Sequence, residues 1–278
     1  MMAELIEQGA SISWDLHVLF DDMVLWCGDS WTDTAFDPKG AQPSLTNPMG
    51  NPDFPGRNAA NATNWVGFLT TKYNASLLKT YNIAVSGAIL DNHIIQGYPN
   101  PISTQVYKGF MGNYEDRYSP PWTSSNSLLD ALYGSGARNF AIINVPPLGR
   151  TWQPEDRGKE VKEKFKSDVA VYNERVSKAA VALNDRFDDT NVFFLNAHEN
   201  FNRALDDPKA FPQTSGILNT TDPCVEYQSG TPASDYFNPR CGIPVNQYFW
   251  LNGLHPTYPI HDVLAEHIGK LLDQGPNI

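Results

Sequence analysis

Apolar residues along this chain fall into short unbroken runs that alternate with stretches at helical spacing. Met23 to Cys27 is apolar throughout and stops at Gly28-Asp29-Ser30. A run of that length suits a buried strand. Leu77 to Val85, Asn139 to Val145 and Asn191 to Asn196 read the same way, the second being closed by Pro146-Pro147. Between them, Ala62, Trp65, Val66 and Leu69 place a helix over 59–72, and 102–114 and 127–133 read as further helices. Gly134 and Gly136 are acceptable stops for the latter. The longest helix spans 160–187, with Val161, Phe165, Val169, Tyr172, Val176, Ala180 and Leu183 at three- and four-residue steps. A short helix over 197–205 and a closing helix over 260–272 complete the series. Strand and helix in alternation predict an α/β fold with a parallel sheet covered on both faces.

The stretches between these elements add two long loops. Asp37 to Arg57 is rich in Pro, Gly and Asn, and long loops in compact domains are often functional. Pro208 to Gly242 carries Cys224 and Cys241, which can close a disulfide worth about 3 kcal/mol in an oxidising compartment. Cys27, inside the first apolar run, reads as a small buried hydrophobe. No internal repeat or charged linker divides the chain, so it reads as one domain.

Composition narrows the partners. The 278 residues are 41% hydrophobic and 18% charged, with a formal charge of −11. That acidity argues against a nucleic-acid partner. No run approaches the about 18 apolar residues of a membrane span. Asn61-Ala62-Thr63, Asn74-Ala75-Ser76 and Asn219-Thr220-Thr221 are glycosylation sequons that point outside the cell. Residues 1–11 carry Glu4 and Glu7 and no apolar core of a signal peptide, so the first twenty or so residues are not expected to be the native leader.

Ser30 would sit at the carboxyl end of a strand, where open α/β sheets place their sites. An ordinary strand-to-turn junction would look the same. A serine hydroxyl needs an adjacent imidazole to take its proton. His255, far along the chain and just before the last helix, can reach the same sheet edge. Gly87, after the next strand, can offer a backbone amide to an oxyanion. His93, His198, His261 and His267 have no Cys or acidic partners at metal-ligand spacing and read as surface or satisfied histidines. Trp26, Trp31, Trp65, Trp122, Trp152 and Trp250 read mostly as core or interface, with a sugar or acyl pocket as the alternative for Trp31 and Trp250.

Four blocks occur in order: Gly28-Asp29-Ser30-Trp31-Thr32-Asp33-Thr34, Val85-Ser86-Gly87-Ala88, Asn144-Val145-Pro146-Pro147-Leu148-Gly149-Arg150 and Leu254-His255-Pro256-Thr257. Together they resemble the GDSL or SGNH hydrolases, and more narrowly the acetyl esterases of carbohydrate esterase family sixteen. The resemblance covers about 22–272, leaving 1–21 as an extension outside it. It implies a three-layer flavodoxin-like fold with a parallel sheet. It also implies Ser30 as nucleophile, His255 as general base and then acid, and the Ser30 and Gly87 amides as oxyanion donors. No metal or cofactor is implied. The substrate it implies is a small acylated or acetylated carbohydrate, and the protein would be a secreted, glycosylated monomer away from membranes.

The chain departs from that family twice. An acidic residue usually stands three positions before the His; here it is Asn252, a neutral orienter that can accept a bond from the ring but cannot offset its charge. In a serine-protease triad such an exchange costs about 10⁴ in kcat. Asp262, the nearest downstream carboxylate, is expected to face away. The family also carries a strand ending in Gly-x-Asn-Asp, whose Asn is a third oxyanion donor. No such block stands between Gly87 and Asn139, and Asn113 is a weak substitute. The chain reads as cut near 122–132, with the central strand and most of one helix absent. The first strand would then pair directly with the Asn139 strand or keep an open edge. Loss of one oxyanion donor costs about 10²–10³ in rate. The expectation is therefore an ester hydrolase or, alternatively, a catalytically impaired relative.

Overall fold

A computed structural model describes residues 15–20, 23–89, 101–114, 128–152 and 158–278. His93, Trp122, the Pro120-Pro121 turn and the first half of the inferred cut lie outside the described residues. The strands are β1 (Asp15–Phe20), β2 (Met23–Cys27), β3 (Lys79–Asn82), β4 (Asn139–Ile143) and β5 (Asn191–Leu195). Helix α1 (Trp65–Phe68) widens into a π-type turn at Leu69–Tyr73. Helix α2 is composite, running through Ile102–Thr104, a π-type stretch Gln105–Met111 and Gly112–Tyr114. The remaining helices are α3 (Leu128–Gly134), α4 (Lys159–Arg186), α5 (Ala197–Asp206) and α6 (Tyr258–Gln274).

The five strands form one sheet in the order β3-β2-β1-β4-β5. β2 with β3, and β4 with β5, are parallel, as the alternating pattern predicts. The middle differs. β1 lies between β2 and β4 and is antiparallel to both, so the sheet is mixed. β2 therefore neither pairs with β4 nor keeps an open edge; residues 15–20, expected to lie outside the domain, fill the gap. Their sequence alternates, with Leu16, Val18 and Phe20 two apart, which is the period a strand requires. Leu16 stands opposite Cys27 and Asp15 opposite Ile143. The amino end of β1 thus shares an edge with the carboxyl ends of β2 and β4.

Every residue of β2 is buried, which explains its unbroken apolar run. Trp26 meets Trp65 of α1 edge to face, ring centroids 4.8 Å apart. Helix 59–72 begins later than its apolar spacing suggests, because the Asn64 side chain caps it by accepting from Gly67 N–H. α4 buries Phe165, Val169, Tyr172, Val176, Ala180 and Leu183, the stripe read from the sequence apart from Val161, which is partly buried.

A second, smaller core lies under the disulfide loop. Tyr227, Val245, Tyr248 and Leu251 are buried together, with Cys224, Cys241 and Ile243 packed against them. Cys224 and Cys241 are joined by a disulfide. The Tyr227 hydroxyl donates to Ile243 C=O and accepts from Asn238 N–H. This block leads directly into the segment that carries His255.

Candidate active site

The carboxyl end of β2 is completed by side chains. Gly28 N–H donates to Gln105 Oε1 at 2.9 Å, and Gln105 Nε2 donates to Gly28 C=O at 2.8 Å. A buried carboxamide on α2 therefore pairs with Gly28 as a neighbouring strand would. Val85 N–H also reaches Gly28 C=O, 3.1 Å away. Beyond Gly28 the chain turns on Asp29, whose carbonyl accepts from Thr32 and Asp33 N–H and whose carboxylate accepts from Trp31 N–H.

The loop after Ser30 is staked from two sides. Thr32 C=O accepts from Asn64 Nδ2 and Asn82 Nδ2. The Asp33 carboxylate accepts from Ser86 N–H at 2.8 Å and from the Ser86 hydroxyl at 2.7 Å. Residues 85–88 form a tight turn closed by Ala88 N–H on Val85 C=O, with Gly87 at φ +75°. Glycine takes that backbone angle without a Cβ penalty. Gly87 is exposed, and its N–H has no partner among the described residues.

His255 arrives on a turn just before α6. Leu251 N–H donates to His255 C=O at 2.9 Å, and Thr257 N–H to Phe249 C=O at 2.8 Å. Its Nε2 lies 2.7 Å from Ser30 Oγ, across 225 residues of sequence. Its Nδ1 lies 3.0 Å from Asn252 Oδ1. That oxygen also accepts from the main-chain N–H of Leu254 and His255. Two N–H donors identify the atom as oxygen, so His255 carries its proton on Nδ1 and turns an Nε2 lone pair toward Ser30. Burial pushes the His255 pKa down to about 4, so the ring is neutral at pH 7.

Other residues named from the sequence take different places. Asp262 is held by Lys72 Nζ at 2.8 and 2.9 Å and is not part of the site. Asn113 is exposed and donates to the carbonyls of Lys108 and Gly109 on its own helix. Trp31 is buried against Phe201 and His261, and Trp250 against Phe249, so both belong to the core. His261 is fully buried, and burial, with the nearby His255, lowers its pKa to about 3. Of the three sequon asparagines, Asn61 is clasped to Thr231 and Asn74 donates to Thr70 C=O. Asn219 uses only its oxygen, in a turn with Thr221 and Asp222. No group of three or more His, Cys, Asp or Glu that could hold a metal occurs among the described residues.

An open cleft that reaches Asn252, the partner of His255, was not foreseen. It encloses about 760 Å³ between 56–62 and 228–232 and reaches Leu251 and Asn252. Gln105 was also missed as a site residue. Its only sequence signal was a polar residue inside an otherwise apolar helical face.

A serine hydroxyl in contact with a neutral, oriented imidazole is equipment that acyl transfer can use. The chain belongs to the GDSL-like lipase/acylhydrolase family, a family of carboxylic ester hydrolases with an SGNH-type α/β fold. The family model matches residues 98–268, which include Asn252 and His255. An acetylesterase of Thermothelomyces thermophilus is 27% identical over 285 residues, covering 87% of this chain and 85% of that protein. A GDSL esterase/lipase of Arabidopsis thaliana is 24% identical over 215 residues, or 73% of this chain and 56% of its own length. The thermolabile hemolysin of Vibrio parahaemolyticus is 24% identical over 242 residues, or 76% of this chain and 56% of its own length. The chain spans a little over half the length of these last two.

Proposed function

We propose that this protein is a serine esterase that removes small acyl groups, above all acetyl, from carbohydrate alcohols through an acyl-enzyme. The observation that carries the proposal is the 2.7 Å contact from His255 Nε2 to Ser30 Oγ, with Asn252 setting the tautomer. Nε2 takes the Ser30 proton as Oγ attacks the ester carbonyl. The N–H groups of Ser30 and Gly87 face the developing oxyanion. The imidazolium then gives its proton to the departing alcohol. Water, deprotonated by the same ring, releases the acid and restores Ser30. Similarity to an acetylesterase over most of both chains supports acetyl as the acyl group.

Packing of α6 on α1 and of α4 on β5 supports a three-layer scaffold. The disulfide, and an Asn219 Nδ2 without a partner among the described residues, support a secreted glycoprotein. We read it as a monomer acting on a small substrate away from nucleic acid and membranes.

A second reading, an impaired relative, draws on the centre of the sheet. An antiparallel strand delivers its carboxyl end to the edge away from Ser30, unlike the family's parallel strand that ends in the third donor. The alignment with the acetylesterase is also longer than this chain, which supports a reading in which this chain lacks residues that its relative has. Turnover of 4-nitrophenyl acetate by this chain and by Ser30→Ala decides between the two. The esterase reading expects a loss of about 10⁴-fold or more in the variant. Equal, background rates in both would leave only the impaired relative.

A further inference from the structure

We infer that the cleft beside Asn252 binds the alcohol part of the substrate, and that Arg57 selects a polyol bearing a carboxylate, as in a uronic acid. The inference rests on the esterase reading and adds the leaving group's chemistry. Among the residues lining the cleft, Arg57 is the one charge; none is acidic. In a chain of net charge −11 this is a local reversal. The other arginines with ion pairs among the described residues, Arg138, Arg150, Arg186 and Arg240, face Asp or Glu. Arg57 is exposed and has no such partner among the described residues.

The cleft is preformed. Arg57 N–H donates to Thr34 C=O at 3.1 Å, which ties it to the loop that carries Ser30. Gly56, at φ +74°, lets this contact form, since a Cβ there would lie 2.6 Å from Thr34 O. Across the cleft, Asn61 Nδ2 donates to Thr231 Oγ1 at 2.8 Å and Thr231 N–H donates to Asn61 Oδ1 at 2.7 Å. Asn58 spends its amide on Pro55 C=O, Ala62 C=O and Ala60 N–H. The walls thus satisfy themselves. The groups left without a side-chain partner among the described residues are the Arg57 guanidinium, the Gln228 amide, the Ser229 hydroxyl and Asn252 Nδ2. That set is rich in donors. It matches hydroxyl oxygens and, at Arg57, a carboxylate. Asn252 joins the cleft to the reaction centre, because it lines the cleft and its side-chain oxygen holds His255.

The test uses the full chain and two acetylated glycosides of one shape, methyl glucopyranoside and methyl glucopyranosiduronate. The expected result is a kcat/KM about fivefold higher on the uronate, carried by KM and eroded by salt. That ratio should fall to about one in Arg57→Gln and be partly kept in Arg57→Lys. Equal rates on both glycosides, or a preference that survives Arg57→Gln, would overturn the inference. Titration of Ser30→Ala with unacetylated methyl glucopyranosiduronate reads the cleft without catalysis. Binding there that Arg57→Gln weakens supports the cleft even if ester turnover fails, and its absence counts against the cleft alone.

Discussion

β2 and β4 leave the sheet at the same edge and are finished by the same device. Gln105 pairs both main-chain groups of Gly28, and Asn173 of α4 pairs both main-chain groups of Val145, at 2.9 and 2.8 Å in each case. Each carboxamide pairs with the main chain just beyond the end of its strand, Gly28 one residue past β2 and Val145 two past β4. Beyond the clamps the two strand ends diverge. After Gly28 the chain turns on Asp29 and leaves the Ser30 hydroxyl against His255. After Val145 come Pro146 and Pro147, which lack N–H groups, and then Arg150, tied to Asn202 and Asp206 of α5. The same clamp therefore serves a reactive end and an inert one. Chemistry depends on which groups the next two residues leave unengaged.

Breaking the two clamps separately tests this comparison. Gln105→Leu is expected to lower kcat on 4-nitrophenyl acetate by about 10–10²-fold with KM little changed, because it loosens the strand end that positions Ser30. Gln105→Glu, which keeps an acceptor for Gly28 N–H, should recover part of that loss. A kcat unchanged in Gln105→Leu would make Gln105 a stability residue only. Asn252→Asp comes next. A carboxylate beside Nδ1 raises the His255 pKa, so the acid limb of kcat/KM should move upward from about pH 4. The rate at pH 8 should rise, by less than the about 10⁴-fold that separates Asp from Asn in a serine-protease triad. A limb that stays near pH 4 would show that Asn252 does not control the ring.

Asn173→Leu sharpens the comparison from the other side. It should cost about 1–3 kcal/mol in a urea titration, the penalty of leaving Val145 unpaired, while kcat stays within about twofold. The smallest effect at neutral pH comes from the buried histidines. Their folded pKa values, about 4 for His255 and about 3 for His261, lie below the ordinary 6.5. Below pH 6.5 the unfolded chain therefore binds protons that the folded chain does not, and stability falls as pH drops from 6.5 toward 3. In His261→Asn the slope of the urea midpoint against pH over that window should be shallower. An unchanged slope would place the acid sensitivity elsewhere.

Elements held by their own periodicity were legible in the chain. The β2 run, β4, β5, α4 and α6 could be named within a few residues, because burial on one stripe or both faces forces a matching apolar pattern. Ser30, Gly87 and His255 could be named as candidates from their places beside such elements and from the ordered family blocks, and Asn252 from standing where the family has its acid, three residues before His255. Three features were not legible. The Gln105 and Asn173 clamps read as ordinary polar residues in helices. The cleft is built by two loops 170 residues apart, joined through Asn61 and Thr231, and no local pattern records that meeting.

By itself the sequence determined the alternation of strands and helices, the family, and which side chains carry reactive groups, since these depend on local pattern and residue type. Only the tertiary structure decided that β1 enters the middle of the sheet in reverse and that one carboxamide completes the strand before Ser30. It alone brought Ser30 within 2.7 Å of His255 and set Arg57, without an ion-pair partner among the described residues, in the cleft that reaches Asn252. Those outcomes depend on which distant backbone groups need partners once the chain has closed, and that need does not exist until it folds.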